Sequence, residues 1–220
     1  MNETFDFIIY IVQMAGVAAF AIYGATVGFK ASLDPFGVCV LGVINALGGG
    51  ICRDLVLGIF PPIAFTRYDY AITSIVFSLL TFVYSYFRKN FSKSQEVRDK
   101  ILDIIDAFGL GFFVIAGVET AVWKYGYDNG YLAVSCAVLT VVGGGILRDV
   151  LVRRVPTVLY KHFYAIPALL GGILYFELSK RTFVNSYVSI VVTVVFVVVI
   201  RIMAMFLKIN LPQAKGEKIE

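Results

Sequence analysis

The chain has 220 residues, 59% of them hydrophobic and only 15% charged, with a mean hydropathy of +0.84. That balance excludes a soluble domain of this size and defines a polytopic membrane protein. The net charge of +4 comes from short basic clusters between apolar runs, with no nucleic-acid-binding motif, so the clusters read as topology determinants and no nucleic acid is expected as a partner.

The first uncharged stretch long enough to cross a bilayer, about 18 residues or more, covers residues 7–29. The segment before it lacks the basic start and small-residue cleavage site of a signal peptide, so this span is read as retained. Further spans follow at 35–52 and 70–87. A polar stretch at about 88–102 reads as a linker, with Asp99 and Asp103 marking a helix start. Residues 104–123 form a fourth span although Asp106 and Glu119 interrupt it, and 129–147 a fifth. Residues 163–176 are short and carry Pro167, and are accepted as a sixth because the repeat described next requires them. Residues 182–200 make a seventh. Cys39, Cys52 and Cys136 are odd in number and lie in apolar segments, so they read as packing residues rather than a disulfide or metal framework.

With the N-terminus outside, twelve lysines and arginines fall in inside segments, against four outside (Arg67, Lys124, Lys180 and Arg181). The chain is therefore expected to run N-out and C-in. Its organisation is a single transmembrane domain over 1–210, with repeat one at about 7–87, repeat two at about 103–177, a seventh helix at about 182–207, and a polar tail at 211–220.

The repeat rests on a duplicated phrase. Gly48-Gly49-Gly50-Ile51-Cys52-Arg53-Asp54 returns as Gly143-Gly144-Gly145-Ile146-Leu147-Arg148-Asp149, an offset of 95 that also relates Asn45 to Thr140 and Pro61 to Pro156. Three spans per copy force the second copy to enter from the opposite side, which is an inverted repeat. Each glycine costs a helix about 1 kcal/mol against alanine, so the triplets are expected to break the second and fifth helices near mid-membrane. Unwound backbone at that depth survives where it lines a wet path. The competing use of such glycines is close helix packing, as at Gly24 and Gly28. Asn45 and Thr140, one turn earlier, are candidate polar lining residues. Arg53 and Arg148 are placed to reach back toward the glycine carbonyls. Neighbouring residues point about 100° apart on a helix, so pairing of Arg53 with Asp54 is not required. Arg53, Asp54, Arg148 and Asp149, at span ends, suit either a vestibule or a structural ion pair. Glu119 is expected to snorkel to the outer interface and Arg201 to anchor the last span at the inner one, and His162 is assigned no chemistry. No nucleophile elbow, HExxH or metal-ligand cluster is present in the sequence, so no enzyme activity and no cofactor are expected.

The phrases around Gly48–Gly50 and Gly143–Gly145, with Phe20-Ala21-Ile22-Tyr23-Gly24 and Asp34-Pro35-Phe36-Gly37, resemble the prokaryotic branch of the trimeric intracellular cation channels (TRIC). The resemblance implies an all-α homotrimer with one pore per protomer, lined by the second and fifth helices kinked at Gly48, Gly49, Gly50, Gly143, Gly144 and Gly145. It further implies K⁺ and Na⁺ as permeant ions, lipid bound between subunits, and residence in a prokaryotic cell membrane. Animal members carry basic residues in the fourth span that are linked to voltage response, whereas 104–123 holds no Lys or Arg. The residues by themselves leave open a cation channel, a secondary transporter of a small solute, and a structural lipid-binding protein.

Overall fold

The computed structural model describes residues 3–87, 95–159, 164–181 and 185–207. The elements are α1 (Glu3–Lys30), α2 (Pro35–Val56), the single turn α3 (Ile63–Thr66), α4 (Tyr68–Phe87), α5 (Gln95–Tyr125), α6 (Gly130–Leu151), a 3₁₀ turn (Thr157–Leu159), α7 (Ala165–Ser179) and α8 (Ser186–Phe206). Six of these helices are long and apolar enough to cross a membrane, and the shorter apolar α7, at 15 residues, falls where the sixth span was expected. The linker residues 88–94, His162 and the tail from 208 onward lie outside the described residues.

Helix starts follow local chemistry. Asp34 caps α2 by accepting the Gly37 N–H at 2.7 Å, with Pro35 in the first turn, and Asn129 caps α6 through the Leu132 N–H. Both arrangements satisfy amides that a helix start leaves unbonded. α2 and α6 also end alike. The Leu57 and Val152 amides bond the carbonyls of Arg53 and Arg148, and the chain then turns through left-handed residues, Gly58 (φ +65°) and Arg153 (φ +55°). These two stand 95 residues apart, the offset of the repeat. Asp99 and Asp103 do not mark the start of α5, because the helix already begins at Gln95.

α1, α2 and α4 pack together, as do α5, α6 and α7; α2 crosses α6 and α1 crosses α5 between the groups, while α8 lies on α5 and α7. The centre is aliphatic and aromatic, with Leu110, Val114, Ile115 and Val118 buried and the Phe20 and Phe113 rings edge-on at 4.8 Å. Gly24 and Gly28 lie against α2, where a β-carbon at Gly24 would come within 2.6 Å of the Asn45 Cβ. Two faces of the bundle are defined by their contacts. At the N-terminal face the Lys124 ammonium, at the end of α5, donates to the Gly58 carbonyl at 2.7 Å, and the Tyr125 hydroxyl donates to that of Leu57. At the opposite face Arg201 of α8 meets Asp106 of α5 at 3.5 Å. The outward side chains of α4, among them Ile72, Leu80 and Val83, are exposed, as suits a surface set against acyl chains.

Candidate functional site

The two glycine triplets meet where α2 crosses α6, but they do not unwind either helix. Helical bonding runs without a gap from Pro35 to Val56 and from Gly130 to Leu151, so the expected release of backbone carbonyls does not occur. The reason is reciprocal close approach. A β-carbon at Gly49 would strike the Thr140 carbonyl, 2.8 Å from its carbon, and one at Gly144 would strike that of Asn45, 3.1 Å from its carbon; Gly143 approaches the Gly49 Cα. The helical penalty of these glycines is offset by backbone-to-backbone packing, the small-residue mode of membrane helix association. Gly50 and Gly145 differ from the rest. A β-carbon there would meet only the guanidinium of Arg53 (3.6 Å) or Arg148 (3.8 Å), so the third glycine of each triplet leaves room for its own arginine one turn later.

Both arginines do pair with the next residue. Arg53 donates Nε (2.9 Å) and Nη2 (2.7 Å) to Asp54 Oδ1, and Arg148 donates Nε to Asp149 Oδ1 at 2.7 Å. Backbone directions 100° apart do not prevent this, because an arginine long enough to fold over a glycine can return to its neighbour. The second carboxylate oxygen fixes the following turn. Asp54 Oδ2 accepts the Ile63 N–H at 2.8 Å, and Asp149 Oδ2 accepts the Thr157 N–H at 2.8 Å and its hydroxyl at 3.0 Å. Each Arg-Asp pair is thus a buried clamp that holds the return loop of its half. All four side chains are 8% exposed or less, and charge removed from water to this degree persists only when paired and hydrogen-bonded.

Against the crossing on the N-terminal face lies a cavity of about 60 Å³, bordered by Ala46, Gly50, Arg53, Thr120 and Thr140, polar and roomy enough for a few water molecules. Tyr70 borders it too and donates its hydroxyl to Gln13 Oε1. A wider cavity of about 390 Å³ adjoins it, sharing Gln13, Ile63 and Thr120 and bordered by Asp6, Glu119 and Trp123. Glu119 does not snorkel: its carboxylate turns inward to accept the Tyr175 hydroxyl at 2.6 Å. The described lining of the wider cavity carries two carboxylates and no basic side chain.

On the opposite face Arg148 Nη1 donates to Asn45 Oδ1 at 3.1 Å and Nη2 to Thr157 Oγ1 at 3.2 Å, with the guanidinium 5.0 Å from the centre of the Tyr23 ring. Asn45 donates its amide to the Phe20 carbonyl at 2.6 Å, while Thr140 returns its hydroxyl to Cys136 on its own helix. Arg201 is no interface anchor. It is 4% exposed, faces Asp106, and lies 4.6 Å over the Tyr164 ring, whose hydroxyl donates to Asp106 at 3.1 Å. Gln13, Thr120 and Thr157 join the site without having been singled out in the sequence, and Tyr23 had been read only as part of a phrase, with no role of its own. The signal available for Gln13 and Tyr23 was a polar side chain inside an uncharged span, which a search for charges passes over.

The fold and the site define an integral, polytopic helical membrane protein with a buried Arg-Asp pair on each of the two helices, α2 and α6, that cross between its halves. The family described as Glycine transporter matches residues 10–86 and again 103–180. The inner membrane protein YadS of Escherichia coli K12 is 35% identical over 93% of this chain and 95% of its own length. A solved TRIC cation channel superposes with a TM-score of 0.81 at 39% identity, covering 95% of this chain and 98% of that one. A prokaryotic TRIC channel crystallised in 0.5 M KCl does so with a TM-score of 0.80 at 34% identity, covering 93% and 99%. The chain belongs to this bacterial membrane family, that of the prokaryotic TRIC proteins. The matching family model is described as a transporter and these solved neighbours as cation channels, and neither description is that of an enzyme.

Proposed function

We propose that the protein is a cation channel permeable to K⁺ and Na⁺, built as a homotrimer with a separate path in each protomer. In this reading seven helices span the membrane with the N-terminus outside and the C-terminus inside. The groups α1, α2, α4 and α5, α6, α7 form an inverted repeat, α8 stands alone, and lipid occupies the apolar faces between protomers. Similarity to solved TRIC cation channels supports the assignment.

The observation that carries it is the pair of adjoining cavities leading from the N-terminal face to the α2–α6 crossing. Because the helices stay intact, the path runs beside the crossing and passes hydrated ions, rather than replacing hydration with freed carbonyls. Gly48, Gly49, Gly143 and Gly144 hold the crossing together, and Gly50 and Gly145 keep space at its two ends. Arginine beside a cation path is tolerated because Asp54 and Asp149 cancel its charge at 2.7 Å. Asp6 and Glu119 then leave the wider cavity with a negative field that concentrates cations. Recording from purified protein in planar bilayers under asymmetric KCl tests the reading. Unitary steps that reverse toward the K⁺ equilibrium potential support it, and electrically silent bilayers refute it.

A second reading is favoured by the description of the matching family and by the size of the inner cavity, about 60 Å³: a carrier of a small zwitterion such as glycine. The Arg53–Asp54 pair borders that cavity and would have to open to offer one group to each end of such a solute. Saturable glycine uptake by proteoliposomes without unitary currents would select it.

A further inference from the structure

The wider cavity at the N-terminal face is lined in a way that passage of a hydrated ion does not require. One wall is α1, where Asp6, Ile9 and Gln13 stand three and four residues apart and so share a face. A second is α5, where Glu119 and Trp123, four residues apart, lie side by side. Ile63, at the start of α3, borders it too, and its amide is held by the Asp54 carboxylate, which anchors this side to the buried clamp. At about 390 Å³ the space has the size of a small-molecule site, roughly 300–1,000 Å³, and Phe5, Ile9 and Val122 give it apolar walls.

Its charge is one-sided. Glu119 accepts the Tyr175 hydroxyl on Oε1, and its other oxygen accepts no hydrogen bond among the described residues. Asp6 and Glu119 have no salt-bridge partner among them either. The basic groups of this face are engaged elsewhere: Lys124 on the Gly58 carbonyl, Arg53 on Asp54 and Arg67 on Asp69. Two carboxylates therefore border an apolar space without a cation from the protein itself. A divalent metal is a poor match, because it asks for about six oxygens or more and no group of three or more His, Cys, Asp or Glu side chains gathers among the described residues.

We propose that this cavity is a binding site for a small organic ammonium ion, an amine cation carried on a short apolar or aromatic body. The ammonium lies between Asp6 and the free oxygen of Glu119, where its hydrogen bonds are charge-assisted, and within reach of the Trp123 ring for a cation–π contact. The body covers Phe5, Ile9 and Val122. A phospholipid head is disfavoured, since its phosphate would enter a lining that offers no basic side chain. Gln13, Ile63 and Thr120 border both cavities, so an occupant stands over the mouth of the inner one. Blockage of current by such an amine rests on the channel reading; binding of it does not.

The chain has one tryptophan, so selectively excited emission reports on this cavity alone. Purified full-length protein in detergent is titrated with phenethylamine, with phenethyl alcohol as the neutral control of the same shape. A saturable change is expected with the amine and only a shallow, unsaturated drift with the alcohol. Glu119→Gln, which keeps an acceptor for Tyr175, should weaken binding by about tenfold, as for the loss of one charge-assisted contact. Asp6→Asn, in the exposed first turn of α1, should weaken it by about threefold and serves as the second variant should Glu119→Gln not fold. Equal responses to amine and alcohol, or unchanged affinity in the folded variants, overturn the proposal. Short-chain phosphatidylethanolamine, which carries an ammonium beside a phosphate, should not compete; competition by it overturns the assignment to a free amine. Saturable, carboxylate-dependent binding by a protein that is silent in bilayers would uphold the site and refute only the channel reading.

Discussion

Replacing single glycines by alanine separates close packing from deliberate unwinding, because the six positions are expected to behave differently. At Gly49 a β-carbon would lie 2.8 Å from the Thr140 carbonyl carbon and nearer still to its oxygen, where ordinary contact begins at 3.4 Å. The obstacle is helix backbone, so α2 and α6 must part by on the order of 1 Å, and overpacking of this kind costs about 3 kcal/mol or somewhat more. Alanine returns about 1 kcal/mol of helix propensity, which leaves Gly49→Ala destabilised by about 2 kcal/mol or more. For a chain of this size that corresponds to a thermal midpoint lower by about 4–8 °C. Gly144→Ala, facing the Asn45 carbonyl, should match it. Gly50→Ala and Gly145→Ala meet only a movable guanidinium, so the propensity gain stands nearly alone and stability should be unchanged or higher by up to about 1 kcal/mol. Thermal unfolding in detergent, followed by the loss of monodisperse protein on size exclusion, reads all four variants. If Gly49→Ala and Gly144→Ala were as stable as Gly50→Ala and Gly145→Ala, the packing argument would fail, and an unwound segment that any helix former stabilises would account for the triplets better.

Asp149→Asn keeps an acceptor for the Thr157 amide but leaves Arg148, 3% exposed, without its countercharge; a loss of about 3–5 kcal/mol is expected, most of it restored when Arg148→Met is added. A double variant no more stable than the single one would show that the pair is not the source. Arg201→Met removes a charge buried against Asp106 and should cost about 3 kcal/mol, whereas Arg67→Met, whose partner Asp69 shares a largely open site with side-chain exposures of 49% and 25%, should cost less than about 1 kcal/mol; the two thermal midpoints decide it. Glu119→Gln should lower unitary K⁺ conductance in dilute salt more than in concentrated salt, because the screening length falls from about 10 Å at 0.1 M to about 3 Å at 1 M. An equal loss at both concentrations would argue that Glu119 acts through its bond to Tyr175 and not through its field.

Much of the fold was legible because hydropathy, turn chemistry and duplication agree. Asp34-Pro35 opens α2 where the sequence says it should, and the 95-residue offset reappears in the paired left-handed residues Gly58 and Arg153. What the sequence conceals is the partner of each side chain. A glycine triplet reads the same whether it unwinds a helix or admits another, since both uses need a missing β-carbon; only the position of the Thr140 and Asn45 carbonyls distinguishes them. Arg201 and Glu119 look like interface residues by their distance from span ends, yet their partners Asp106 and Tyr175 come from helices far away in the chain. The difference between Asn45 and Thr140 carries the most meaning. At one register position an amide can accept from an arginine across the crossing while donating to a backbone carbonyl, and a threonine hydroxyl has its own helix within reach instead. A duplicated sequence can thereby place one arginine as a bridge across the crossing and fold its twin back onto the neighbouring aspartate.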